Sequence, residues 1–472
     1  MKGSMIQAIH KKFFSENIIQ LQINFLFVCF VFLFSLKYDY LEIRLLLIIL
    51  LIPCSLKIIN ECVNKNFKNF TIFFLFLLIF FSHSLINIYI EGVKFTPYNF
   101  FGIFLLSSIF VIAFYFYENF NRNIFQIIKI FLFIFFSSVL ISLFNFKNDA
   151  PFFCGGIPDI FGIFKTYKEY LPNGEIKVNN LIYPGLSRIG DFRISFKEYL
   201  FMENSHLGMI APSIILYLIH VNFNKKINLF FKILTYLFIL ICLIKSSTTL
   251  LVGTISSLIV LISLNFKNIP KNTLVAFCGI LVIFSLILIS SKECRSRFVP
   301  IYKPDYSAAD NIKNSNQIEP VSEINLKIAT KLKNLMGTAG NLSSAVYFHA
   351  LVITKNSLIE KPFGWGVNRY NIAFDYFTTK NPSIIKNVNF LNNKDGSNNF
   401  FKLVVELGIF ALAVYFFFFM FFVNKKIPLE YKLFYLPIIV TQSLRGAGYF
   451  NGGFSLIVFF MLFTYIKLNK KN

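Results

Sequence analysis

The chain has 472 residues, of which 56% are hydrophobic and only 15% charged, against about a quarter charged in a soluble domain of this size. Its formal net charge is +23, but no basic soluble face gathers that charge, so a nucleic-acid-binding domain is excluded. Lys and Arg scattered at the ends of apolar blocks instead set membrane topology and attract anionic membrane lipid.

The apolar blocks run about 18 to 22 residues, the length that crosses about 30 Å of hydrocarbon as a helix. In lipid each backbone N–H must be paired within its own segment, so these blocks are helices. In chain order, spans are expected near 19–36, 41–59, 70–89, 99–117 and 124–145, then 204–222, 228–245, 248–265 and 272–290, then 401–423, 431–447 and 452–467. Lys11 and Lys12 lead into the first block with no small-residue cleavage site after it, as in a retained signal anchor. The short loops that carry Lys57, Lys65, Lys68, Arg122, Lys225, Lys226, Lys267, Lys271, Lys425 and Lys426 alternate with loops nearly free of Lys and Arg. By the positive-inside rule both termini are cytoplasmic.

The expected fold is an all-α polytopic membrane protein of about twelve transmembrane helices with two large outer loops, the second partly helical. Its regions are a five-helix membrane region (1–145), a first loop (146–203), a four-helix region (204–290), a large loop (291–400) and a three-helix region (401–472). The large loop is too long for an idle connector. Within it, 325–336 and 342–359 have helical apolar spacing, while the Asn-rich stretch 387–399 is turn-like. Cys154 and Cys294 lie one in each loop and could pair if the loops face an oxidising compartment. No metal-binding Cys/His spacing is present in the sequence.

Four segments concentrate polar chemistry where the chain meets lipid, a place where polar groups are costly unless they face protein or water. Residues 188–208 hold Arg188, Arg193, Glu203 and His206. Arginine forks suit phosphate oxygens, and Glu203 and His206, three apart on one helix face, can move protons. The alternative is an interfacial salt-bridge cluster that anchors the helix. Residues 361–369, Lys-Pro-Phe-Gly-Trp-Gly-Val-Asn-Arg, hold the single Trp365, able to stack on a sugar or to sit in an interfacial belt, and Arg369, able to meet a phosphate.

Residues 395–408, Asp-Gly-Ser-Asn-Asn-Phe-Phe-Lys-Leu-Val-Val-Glu-Leu-Gly, place Asn398 at the mouth of a span. They put Glu406 inside it, either on a ligand or in a structural hydrogen bond. Residues 442–453 carry Arg445 in a Gly-rich turn between the last two spans. His349 reads as a packed or solvated loop-helix residue. Ser247, Thr248 and Thr249 read as a helix cap. Asn341–Ser343 is a weak glycosylation triplet, and His83 has no assigned role.

Together these four segments resemble the O-antigen polymerase and O-antigen ligase superfamily of bacterial envelopes. The stretch ending Glu-Asn-Ser-His-Leu-Gly is similar to that family's loop-to-helix motif. Lys-Pro-Phe-Gly-Trp-Gly is similar to its Pro-x-x-Gly-x-Gly motif, with one residue fewer between Pro362 and Gly364, and Ser-Asn-Asn-Phe-Phe-Lys-Leu-Val-Val-Glu-Leu-Gly is similar to its His-Asn-x-x-Leu…Glu-x-Gly motif. Leu-Arg-Gly-Ala-Gly-Tyr-Phe resembles a late polymerase motif.

The resemblance implies a glycosyltransferase at the periplasmic face of the bacterial inner membrane. Its substrate would be oligosaccharide on undecaprenyl diphosphate, and it would need no cofactor and no metal. Catalytic roles fall on Glu203, His206, Arg193 and Arg445, and substrate contacts on Arg188, Trp365, Arg369, Asn398 and Glu406. A chain-length regulator protein is a further implied partner. Where ligases typically carry His as a base, this chain has Ser397. That departure favours polymerase over ligase and leaves the base to His206, Glu203 or His349. A flippase for the same lipid-linked unit is the rival from another class.

Overall fold

A computed structural model describes residues 67–94, 96–119, 124–144, 204–244, 247–290, 342–380, 386–446, 448–450 and 453–469. It also describes short strands within 37–42 and 168–183 and the single residues Asn24, Val28, Arg295, Phe298 and Lys331. The expected spans 19–36 and 41–59 fall almost entirely outside these residues, as do Arg188, Arg193, Glu203, Cys154, Cys294, Asn341 and most of 325–336.

The described chain is overwhelmingly helical. Its helices are α1 (Phe67–Tyr89), α2 (Pro97–Asn119), α3 (Ile124–Phe144), α4 (Asn204–Asn224), α5 (Leu229–Ile244), α6 (Thr248–Asn265) and α7 (Lys271–Ser290). After them come α8 (Leu342–Glu360), α9 (Tyr370–Lys380), α10 (Asn399–Leu407), α11 (Phe410–Val423), α12 (Leu429–Leu444) and α13 (Phe454–Asn469). Two small antiparallel ribbons accompany them: β1 (Lys37–Tyr38) with β2 (Leu41–Glu42), and β3 (Lys168–Tyr170), β4 (Ile176–Val178) and β5 (Leu181–Tyr183) in sequential order. The β1–β2 hairpin holds Leu41 and Glu42, so no helix begins at residue 41.

Three helical segments are long and apolar enough to cross a membrane, Ser205–Asn224, Thr248–Asn268 and Lys271–Ser290, and mark a membrane protein. Shorter apolar helical stretches, including Pro97–Phe110, Leu229–Leu243 and Phe454–Leu468, accompany them. Local chemistry sets the helix starts. Pro97 occupies the first turn of α2, and Asn99 Oδ1 accepts from Thr96 N at 3.1 Å, a reciprocal capping arrangement. Ser247 Oγ accepts from Leu250 N at 3.2 Å, so of the three hydroxyls expected to cap this helix Ser247 does so.

The central helix is α4. It is largely buried and packs against α12, α6, α7 and α5. Two close approaches tighten that core: a Cβ on Gly208 would lie 2.6 Å from Ser247 Oγ, and one on Gly253 would lie 2.6 Å from Thr441. The outward faces carry Phe104, Phe133, Phe230, Val275, Leu286 and Phe416, all exposed, a surface that suits lipid rather than water.

Two features depart from the sequence expectation. The single span expected at 401–423 is two helices, α10 and α11, broken at Gly408, whose φ is +59°. Helix α9 was not expected at all, and it packs with α8 and α10. The expected loop helix at 342–359 is α8, and the Asn-rich stretch does form turns after a short 3-10 segment at Lys386–Asn389.

Candidate active site

Three of the four polar segments meet at Glu406. Its side chain is fully buried on α10. Oε2 accepts from Asn368 N at 2.7 Å and from the Tyr449 hydroxyl; Oε1 accepts from Tyr370 N at 3.0 Å and lies 3.7 Å from Lys402 Nζ. Three of the roughly four acceptor positions of a carboxylate are thus hydrogen-bonded, and an ammonium lies beside the fourth. These bonds give Glu406 the structural role that its position left open, in place of the open substrate contact that the resemblance implied. A buried charge is tolerable only when paired and hydrogen-bonded, and here that requirement ties distant segments together.

The main chain reinforces the junction. Trp365 N donates to Val405 O and Gly366 N to Glu406 O, while Ile409 N donates back to Pro362 O, each at 2.9 Å. The strands of chain come so close that a Cβ on Gly364 would lie 2.4 Å from Glu406 O, and one on Gly408 would lie 2.0 Å from Pro362 O. Both glycines also have positive φ.

The 361–369 segment is held from behind by α1 and the start of α2. His83 Nε2 is 3.1 Å from Phe363 O, Glu91 Oε1 accepts from Phe363 N at 2.9 Å, and Asn99 Nδ2 donates to Val367 O at 3.2 Å. His83 thus acquires a structural role. Arg369 is 6% exposed and donates from Nη1 to Lys94 O at 2.7 Å, so it clamps this junction rather than facing open solvent. Trp365 is equally buried, its ring packed by Tyr376, Phe377 and the Lys361 ammonium. Such a ring is a packing residue and offers no open face for a sugar.

In front of this junction the turn 395–399 lies along the turn 445–449. Gly446 N donates to Ser397 O at 3.2 Å, and Asn399 Nδ2 donates to Gln442 Oε1 at 3.3 Å. Asn398 is buried and caps α10 by accepting from Phe401 N through Oδ1. Its cap explains much of its position, and the contribution is about 1 kcal/mol. The Asn398 amide and the Arg445 guanidinium both bear on the Tyr347 hydroxyl of α8; they oppose the burial that pushes that hydroxyl's pKa up. Arg445 is partly exposed at the end of α12, and among the described residues it belongs to no ion pair.

Several buried polar atoms here have no partner among the described residues: Asp395 Oδ1, Asn399 Oδ1 and the Tyr370 hydroxyl. Burial, with the Asp395 and Glu406 carboxylates, pushes the Tyr370 hydroxyl well above its usual range. Unsatisfied buried groups are costly, and such a cluster calls for a partner such as water, an ion or a ligand.

Two described histidines were named as candidate bases. His349 is 3.0 Å from Thr378 Oγ1 and edge-on to Phe374, which fastens α8 to α9. Burial lowers its pKa to about 4, so it is a neutral structural imidazole. His206 sits on the first turn of α4, two residues before the Gly208 contact with α6. Glu203, Arg188 and Arg193 lie outside the described residues. Among the described residues no cluster of His, Cys, Asp or Glu could hold a metal ion.

The sequence reading passed over Tyr347, Tyr370, Lys402, Tyr449 and Asp395. Asp395, Lys402 and Tyr449 stood inside segments already singled out; Tyr347 carried no signal, since a Tyr on an amphipathic helix is ordinary. No protein-family model, curated protein or solved structure matches the chain, so its reading rests on its own residues.

Proposed function

We propose that this chain is a membrane glycosyltransferase that polymerises undecaprenyl-diphosphate-linked oligosaccharide repeat units of O-antigen or a related polysaccharide. It works at the periplasmic face of the bacterial inner membrane, as a protein of about twelve spans with both termini cytoplasmic. One observation carries the reading: the segments 361–369, 395–408 and 442–453, each resembling a motif of that superfamily, converge on Glu406, with Arg445 in no ion pair among the described residues and unsatisfied polar groups beside it.

In this reading the growing glycan is transferred from its lipid diphosphate to a hydroxyl of the next lipid-linked unit. The bond from the anomeric carbon to the diphosphate oxygen breaks, and its electron pair leaves on the diphosphate. Arg445, with Arg188 and Arg193, stabilises that developing charge. A guanidinium suits the task because its fork meets two phosphate oxygens at once. A base takes the acceptor hydroxyl proton. Ser397 stands where a ligase typically has its His, which favours polymerase over ligase.

Deleting the gene separates the alternatives. Loss of a polymerase leaves lipid A core bearing a single repeat unit. Loss of the ligase leaves long polymer stranded on the lipid carrier. Loss of a flippase leaves neither product at the surface. Only the first pattern, restored by the intact gene, fits the proposal.

A further inference from the structure

We infer that Asp395 is the catalytic base that takes the proton from the acceptor sugar hydroxyl; the inference rests on the polymerase reading. The contrast with Glu406, its neighbour in the same cluster, carries the argument. The Glu406 carboxylate already holds three hydrogen bonds and an ion pair, so it serves as a structural tie. Asp395 Oδ1 is equally shut off from solvent yet has no partner among the described residues, although the residue as a whole is partly exposed. A buried carboxylate oxygen without a donor is costly, and a substrate hydroxyl is a donor of the right kind.

The backbone next to Asp395 forms a tight turn. Gly396 and Ser397 both have positive φ, +68° and +65°, so the chain reverses sharply before the Asn398 cap. Positive φ at a non-glycine such as Ser397 is a strain that persists only where the surroundings enforce it, and such strain gathers at active sites. Across from it, a Cβ on Gly448 would lie 3.3 Å from Asp395 Cβ and 3.5 Å from Lys402 Nζ. The glycine at this point in the 442–453 segment therefore makes room for the aspartate.

The charged and titratable groups facing Asp395 are Tyr370 of α9, which feels its carboxylate, Lys402 of α10, across Gly448 from it, and its chain neighbour Lys394. Of these, Lys402 is committed to Lys394 O at 2.7 Å and to Glu406. Gly446, bonded to Ser397 O, puts the adjacent Arg445 on the same turn pair. A proton acceptor and a cation for the leaving diphosphate thus share one locus. In the step, the Asp395 carboxylate accepts the hydroxyl proton as the hydroxyl oxygen bonds to the anomeric carbon and the diphosphate departs with its electron pair. The proton then passes to the released diphosphate or to water.

The test uses purified full-length protein and lipid-linked repeat unit extracted from a strain lacking this gene. Asp395→Asn keeps the shape and removes the base. It is expected to cut the polymerisation rate about 10²- to 10⁴-fold, with KM for the lipid-linked unit within about threefold of wild type. Asp395→Glu keeps a carboxylate and is expected to recover part of the rate; it also serves as the folding control should Asp395→Asn unfold early. Polymerisation by Asp395→Asn near the wild-type rate overturns the assignment. So does a rise in KM at unchanged kcat, which would make Asp395 a binding residue. If wild-type protein makes no polymer from this substrate, the polymerase reading fails and the assignment fails with it.

Discussion

Glu406 accepts the backbone N–H of Asn368 at 2.7 Å across 38 residues of sequence. This bond, with that from Tyr370 N and the Tyr449 hydroxyl, makes a carboxylate the junction of a loop segment, a short helix and the turn between the last two helices. The charge does not face a ligand. It positions the turn that carries Asp395 and the turn that carries Arg445.

Glu406→Ala is therefore expected to destabilise the protein by about 3–5 kcal/mol, because it strands the buried Lys402 ammonium and two backbone donors. Thermal unfolding in detergent measures this. Glu406→Gln should cost less, since an amide keeps two or three of the four contacts. A Glu406→Ala protein as stable as wild type would show that the junction is held by its backbone bonds alone.

Gly408→Ala should cost about 1–3 kcal/mol or prevent insertion, since the new methyl meets Pro362 O and φ is +59°. Gly279→Ala is the control. It lies within α7 with nothing within 4 Å of the added carbon, so it should be neutral or gain up to about 1 kcal/mol of helix propensity. Unfolding midpoints of the two variants in parallel decide the point.

Arg445→Gln should leave a folded, inserted protein whose polymer yield falls about 10²- to 10³-fold. Arg445→Lys should recover only part, because an ammonium cannot engage two phosphate oxygens as a fork does. Chain-length profiles of surface glycan in a complemented deletion strain read both outcomes, and a normal profile from Arg445→Gln removes this residue from the mechanism.

His349 predicts a pH dependence of stability. Its folded pKa is about 4 against 6.5 unfolded. Between those values the unfolded chain binds the extra proton, so stability falls as pH drops from about 6.5 to about 4 and then levels off. The loss is about 3 kcal/mol. His349→Gln, which can still reach Thr378, should flatten that part of the curve measured by unfolding midpoint against pH.

Much of the helical framework was legible in the sequence. Nine of the expected spans fall on described helices with ends within a few residues, from Phe67–Tyr89 to Phe454–Asn469, and the loop helix after Asn341 is present. The break at Gly408 was not legible. Gly408 is a local C-cap signal, but a single Gly within the long apolar run to Val423 does not by itself mark a break, and the reversal is enforced by Pro362 and Gly364 packed against it from another segment. Trp365 and Arg369 had the chemistry of ligand contacts, but burial among Tyr376, Phe377 and the Lys94 carbonyl gives them packing roles instead.

Composition and apolar run length by themselves determined that this chain is helical and built for a membrane. Both follow from local physics: an unpaired peptide group in hydrocarbon costs several kcal/mol wherever it lies. The same residues determined which short segments carry polar chemistry. Only the tertiary structure decided which of those side chains are bonded out and which retain an open valence. Two of the four partners of Glu406 are backbone N–H groups, which every residue but proline possesses, so no sequence pattern marks them. Whether a carboxylate is a structural tie or a reactive group depends on who sits beside it, and that is fixed by contacts 36 to 43 residues away.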